Sequence, residues 1–228
     1  MKKQNGATLV IILIIVVIVA LVGTFAVKSS ILGLKIATNS QVQALLLNSS
    51  DSALFNIENP DRVALQLARG GMFDYFSSAD NAKDELVFCY RASESSFFSM
   101  NKASAISGSS KTKIGVDGYC RIGQFSTGRS AVLSQVYLNK KVSDSTPFSG
   151  TSTGTSTGTS TGLPLSVQNI HVTVISVLPS FANATDSQIE NCFKNTSTEV
   201  STCFKGLNIP FSTQNADYTV GGQPKIRS

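Results

Sequence analysis

Four cysteines, Cys89, Cys120, Cys192 and Cys203, and a single histidine, His171, are the side chains best equipped for metal, redox or acid–base chemistry. No two cysteines stand in a C-x-x-C pair, and Cys-rich structural zinc sites use such close pairs, so the spacing points away from a metal. All four lie beyond the apolar N-terminal stretch described below, and four cysteines allow three disulfide pairings. The pairing Cys89 with Cys120 and Cys192 with Cys203 is favoured because each bond closes the shorter loop. The second bond encloses the polar segment ENCFKNTSTEVSTCFK, which reads as too poor in apolar residues to order itself, so a bridge stabilising by about 3 kcal/mol fixes it. His171 sits inside VQNIHVTVISVL, where an imidazole is more often packed, or on an edge strand, than a general base. The chain has no G-x-S-x-G, P-loop or H-E-x-x-H pattern, so no nucleophile has a recognisable activator. It reads as a non-enzyme without a cofactor.

Basic residues are the other candidates. The net charge is +5, and Lys2 and Lys3 contribute two of those charges; from residue 61 onward 15 basic and 12 acidic side chains leave only +3. Lys111 and Lys113, Arg121 and Arg129, and Lys140 with Lys141 would attract DNA phosphates if the fold gathered them. Otherwise they form a solvated surface, which is the favoured reading.

These residues depend on elements whose character shows in the composition. Of 228 residues 42% are hydrophobic and 14% charged, against roughly a quarter charged in an ordinary soluble domain. The apolar residues are pooled. Residues 7–27, ATLVIILIIVVIVALVGTFAV, carry no charge, and at 1.5 Å per residue they reach roughly 30 Å, the thickness of a bilayer's hydrocarbon core. Val and Ile dominate, yet in lipid the backbone must satisfy itself, so a helix is expected. Lys2 and Lys3 precede the span and, by the positive-inside rule, keep the N-terminus cytoplasmic; Lys28 and Lys35 beyond it oppose this. A cleavable secretory signal ending near Thr24-Phe25-Ala26 is the first alternative, disfavoured because its apolar run is usually 7–15 residues. A plain single-pass anchor is the second.

Apolar residues continue at helical spacing through Ile31, Leu34, Val42, Leu45, Leu46, Leu54 and Ile57, with no proline before Pro60, so one helix is expected from Ala7 to about Asn59. Gly23 and Gly33 weaken it locally or allow close helix packing. Asn59-Pro60-Asp61 stops it, and a short helix from Arg62 to Ala68 follows. Strands are expected at Glu85–Arg91, Tyr119–Ile122, Ala131–Leu138 and Val167–Leu178. One long helix followed by antiparallel strands gives an α+β fold class. Residues 150–162, GTST three times and a final glycine, have no apolar side chain and read as a solvated loop.

The start of the chain has more to say. The six residues MKKQNG end on Gly6, Ala7 follows, and an unbroken apolar run begins. This resembles the class III signal of type IV pilins, cut by prepilin peptidase after the glycine. The resemblance places the cut between Gly6 and Ala7, with N-methylation of Ala7. Most pilins have Glu as the fifth mature residue; here that position is Ile11. Its loss is typical of minor pilins of the PilX kind and of the K-type tip pseudopilin of type II secretion. The first fifty residues also resemble PilX-like proteins at Ser29-Ser30, Leu32, Ile36-Ala37, Asn39 and Asp51-Ser52-Ala53-Leu54.

The resemblance implies a pilin-like α+β fold with a leader (1–6), a transmembrane and filament-core helix (7–27), an outer helical half (28–59) packed on the head, and an extracytoplasmic, disulfide-bonded head with an antiparallel sheet (60–228). It implies a chain that waits in the bacterial inner membrane, head in the periplasm, and then joins a pilus-tip priming complex. Its partners would be prepilin peptidase, other minor and major pilins and a tip adhesin. The K-type pseudopilin is the runner-up, although its usual inserted helical domain and acidic calcium-binding stretches are not seen here. A pilin-like membrane-anchored module that binds DNA or a surface is the third reading. The Asn183-Ala184-Thr185 and Asn195-Thr196-Ser197 sequons carry little weight in a bacterium.

Overall fold

The computed structural model describes residues 7–67, 69–94, 97–108, 112–126, 128, 131–141 and 168–220. The leader with Gly6, the GTST segment, Ala68, Lys111 and Arg129 lie outside the described residues. Two compact units are present, Met1–Ala44 and Leu45–Ser228, and helix α1 (Ala7–Ile57) contributes to both.

In the first unit α1 is uninterrupted through Gly23 and Gly33 and is long and apolar enough to cross a membrane. Its large side chains from Leu9 to Val27 are all about half exposed or more, Val17 least at 48% and Phe25 most at 71%. Two hydroxyls are satisfied by the helix itself: Thr24 Oγ1 donates to the Leu21 carbonyl (2.8 Å) and Thr38 Oγ1 to the Leu34 carbonyl (2.9 Å). That is what an apolar surrounding requires of a polar side chain.

In the second unit α1 ends at Ile57, and Pro60 opens α2 (Pro60–Leu67), whose first turn hydrogen-bonds back to the Asn59 carbonyl. Proline suits this position, where its missing N–H costs nothing. A one-and-a-half-turn helix, α3 (Met72–Ser77), follows. Six strands then form one antiparallel sheet: β1 (Glu85–Tyr90), β2 (Ser104–Ile106), β3 (Thr112–Ile114), β4 (Leu133–Lys141), β5 (Gln168–Val177) and β6 (Phe211–Val220), in the order β3-β2-β1-β4-β5-β6. Helices α4 (Asp186–Phe193) and α5 (Ser197–Gly206) lie between β5 and β6 in sequence.

Strand periodicity divides the core into two layers. Leu86, Phe88 and Tyr90 of β1, Val136 and Leu138 of β4, and Ile170, Val172 and Val174 of β5 pack with Ala53 and Ile57 of α1 and with Phe76. Val87, Cys89, Tyr137, Ile175 and Val177 face the other way, onto Ile189 and Phe193 of α4 and Val200 and Phe204 of α5. Fully burying a Leu, Val or Phe stabilises by about 1.5–3 kcal/mol, so both layers contribute materially.

Three expectations are corrected. Tyr119–Ile122 is a loop, because the Cys120 N–H donates to the Gln135 side chain (2.8 Å) instead of to a strand. The strand expected from Ala131 begins at Leu133, since the Val132 carbonyl is taken by the Ser126 N–H and hydroxyl, both at 2.8 Å. The segment expected to be poor in apolar residues forms the end of α4 and most of α5 and, with Ile189 just before it, buries Phe193, Val200 and Phe204.

Between α1 and the sheet, five buried serines touch in a row. Ser49 Oγ lies 2.6 Å from Ser126 Oγ and 2.8 Å from Ser134 Oγ; Ser134 is 2.7 Å from Ser176, and Ser176 is 2.7 Å from Ser50. The ends meet carbonyls, Ser126 at Val132 (2.8 Å) and Ser50 at Leu46 (3.1 Å). Ser134→Ala removes the two central contacts yet leaves Ser49 on Ser126 and Ser176 on Ser50, so no hydroxyl is stranded and the expected destabilisation is about 1 kcal/mol. Ser52→Ala, which removes only an exposed bond to the Asn48 carbonyl, is the control. Urea unfolding checks this, and equal midpoints for the two variants would refute it.

Candidate functional site

The residues singled out in the sequence fall into three groups. The first is the N-terminal surface. Ala7 is the first described helical residue, and Ile11 projects from the helix at 55% exposure among equally exposed Leu, Ile and Val side chains. A carboxylate there would be unpaired in an apolar setting, at large cost; isoleucine carries no such demand. A Cβ built at Gly23 or Gly33 would meet nothing within 4 Å, so neither glycine is required by packing inside the chain.

The second group is the cysteines. The disulfides are Cys89–Cys120 and Cys192–Cys203, with sequence separations of 31 and 11. The first ties β1 to the loop before β4, and the second ties α4 to α5, where Phe193 and Phe204 also meet edge to face at 5.1 Å. Among the described residues no three His, Cys, Asp or Glu side chains converge as a metal would need.

The third group is polar and lies on the sheet face that carries α4 and α5. There a groove of about 700 Å³ is lined by Glu85, Asn139, Lys141, His171, Thr198 and Glu199 among others. Glu85 of β1 accepts from the Ser197 N–H (2.9 Å) and hydroxyl (2.6 Å) at the start of α5. A carboxylate placed there satisfies an orphan amide and meets the positive end of the helix dipole. His171 sits on β5, an interior strand, with Nδ1 2.6 Å from Asp217 Oδ1 on β6. The other Asp217 oxygen accepts from Lys141 Nζ at 2.8 Å. Lys141, and then His171, hold the Asp217 carboxyl below the usual carboxylate range. Thr173 next along donates to Asn215 (2.8 Å), so the polar ends of β4, β5 and β6 are cross-linked by their own side chains.

Of the basic residues, Lys140 and Lys141 line this groove together with Lys83, and Lys113 and Arg121 are not among its lining. Lys113 on β3 binds Asp84 (2.9 Å), Arg121 is 3.7 Å from Asp117, Lys140 reaches the Phe76 carbonyl (3.4 Å), and Lys141 is held by Asp217. Each has a partner within the chain, and β3 is separated from β4 by two strands.

Sequence reasoning missed the serine row and the Glu85–Ser197 contact, both of which join residues far apart in the chain. A signal for α4 was present in Thr185 and Gln188, which form a reciprocal capping box. No family model, curated protein or solved structure matches this chain.

Proposed function

We propose that the chain is a PilX-like minor pilin that takes part in type IV pilus assembly. It acts within a tip or priming complex with other minor and major pilins and a tip adhesin. The observation that carries this reading is the uncharged apolar run that follows Gly6 in the sequence, helical from the first described residue, Ala7, and exposed from Leu9 through Val27.

Such a surface has two stable surroundings, lipid or other apolar helices. Inserted in the inner membrane it is solvated by acyl chains; after cleavage at Gly6 it exchanges lipid for helix packing as it enters the filament. Ile11 lacks the carboxylate that most pilins pair with the N-terminal amine of a neighbouring subunit. Its place is therefore the tip, where no subunit above needs that pairing. The head, braced by two disulfides, supplies the lateral contacts in an oxidising compartment.

Mass spectrometry of the mature N-terminus tests the proposal. In cells with prepilin peptidase the chain is expected to begin at N-methylated Ala7, and Gly6→Val is expected to leave it inserted, uncut and poor at supporting pilus number. A chain that starts at Met1 or after Ala26, or one cut normally in the variant, overturns the reading.

A further inference from the structure

The two edges of the sheet are built differently. At one end β3 has three residues, the β2–β3 register shifts between Ala105 and Ile106, Lys113 stands on the strand, and Gly115 follows at φ +66°. Short length, a break in register and a lysine are the devices by which proteins keep an edge from recruiting another strand. At the other end β6 has none of them. It runs ten residues, pairs with β5 from Gln168↔Val220 to Val177↔Phe211 without a shift, and contains no Lys, Arg or Pro. Its one charge, Asp217, is already paired with Lys141 and within hydrogen-bond distance of His171.

The strand is also held straight before any partner arrives. Phe211 packs against the cluster under α5, Asn215 is bonded to Thr173, and the Tyr218 hydroxyl donates to Glu58 at 2.7 Å. Alternate backbone N–H and C=O groups of a terminal strand point away from its neighbour, and among the described residues none pairs with the outer edge of β6.

We infer that the outer edge of β6 is a strand-addition site for an extended, uncharged, β-branched segment of a different polypeptide. The chemistry of the occupant follows from β5, which holds the inner edge with Ile170, Val172, Thr173, Val174, Ile175 and Val177. β6 has three β-branched residues among its ten, Thr213 and, at one end, Thr219 and Val220, so two β6 strands bring each other few favourable cross-strand pairs along their middle. Main-chain hydrogen bonds supply the affinity, and the incoming strand supplies the Val, Ile or Thr side chains. Thr213, Asn215 and Asp217 are exposed beside this edge, leaving room for them.

The test uses the full chain in detergent micelles and, as probe, a capped synthetic peptide of alternating valine and threonine, with hydrogen–deuterium exchange as readout. The peptide is expected to slow exchange in 211–220 about tenfold while 112–114 is unchanged. Thr213→Lys, which places on β6 the guard that β3 carries, is expected to abolish that protection with an unaltered circular dichroism spectrum. Three results overturn the inference: no protection of β6, equal protection by the peptide N-methylated at every residue, or β6 protection that rises with protein concentration in the absence of peptide. The last would assign the edge to a second copy. None of these readings involves cleavage at Gly6, so this inference and the pilin proposal fail separately.

Discussion

Gly118→Ala is expected to cost the head about 3 kcal/mol or more, being the tightest fit for an added methyl group among the described glycines. A Cβ at Gly118 would overlap the Val87 carbonyl oxygen and the Ser104 amide nitrogen. Both are main-chain atoms of paired strands, so neither can rotate out of the way. Gly118 is itself tied to this place, since its N–H donates to Ser104 Oγ at 3.0 Å, and Cys120 two residues on is bonded to Cys89 of β1. The methyl group must therefore push the loop off β1 and β2 or separate the strands. For a head of this size the change corresponds to a fall in Tm of roughly 6–12 °C. Gly206→Ala, where a Cβ meets nothing within 4 Å, is the matched control and should be neutral or slightly stabilising. Equal thermal midpoints for the two variants would show that the Gly118 contact is not as described.

The second large effect is loss of the longer disulfide. Cys89→Ala with Cys120→Ala is expected to destabilise by about 4 kcal/mol, and Cys192→Ala with Cys203→Ala by about 3 kcal/mol, from the chain entropy released by opening the two loops. Packing acts in the same direction. The α4–α5 pair also buries Ile189, Phe193, Val200 and Phe204, whereas the loop that bears Cys120 buries Tyr119 and Cys120 itself, half-buries Ile122 and Phe125, and is held by the Gly118 and Cys120 N–H bonds. Equilibrium urea unfolding of the two double variants gives the comparison. If removal of the Cys192–Cys203 bond proved the more damaging, the account of what orders each region would be wrong.

Legibility in the sequence follows how local each cause is. The 51-residue helix was readable because its signal, an uncharged run with helical spacing and no proline before Pro60, lies within one stretch. The strands β1 and β5 were readable for the same reason, as dense runs of β-branched and aromatic residues. β6 was not: FSTQNADYTV is a polar string that becomes a strand because ten residues of β5 pair with it. Tyr119-Cys120 looked like strand material, yet both are buried in a loop whose path is set by Gly118 and a side-chain hydrogen bond. The α4–α5 region hid its order behind polar residues, although Ile189 with Phe193 and Val200 with Phe204 are each one helical turn apart. In the candidate site the cysteines were legible from loop length, but the Asp217 link between Lys141 and His171 joins three strands and has no local signature.

The serine row has one further property. Its six contacts, four between hydroxyls and two to carbonyls, are served by five hydroxyl protons, one per serine. One contact at any instant has no hydrogen in it, and the Ser50–Leu46 contact, longest at 3.1 Å, is where such a vacancy costs least. With the vacancy there, Ser50, Ser176, Ser134, Ser49 and Ser126 donate in one direction, from the helix toward the Val132 carbonyl. Moving it to the Val132 end turns every hydroxyl around while the heavy atoms stay in place. The joint between helix and sheet thus holds a polarity that can reverse, a small electrical asymmetry written in proton order alone.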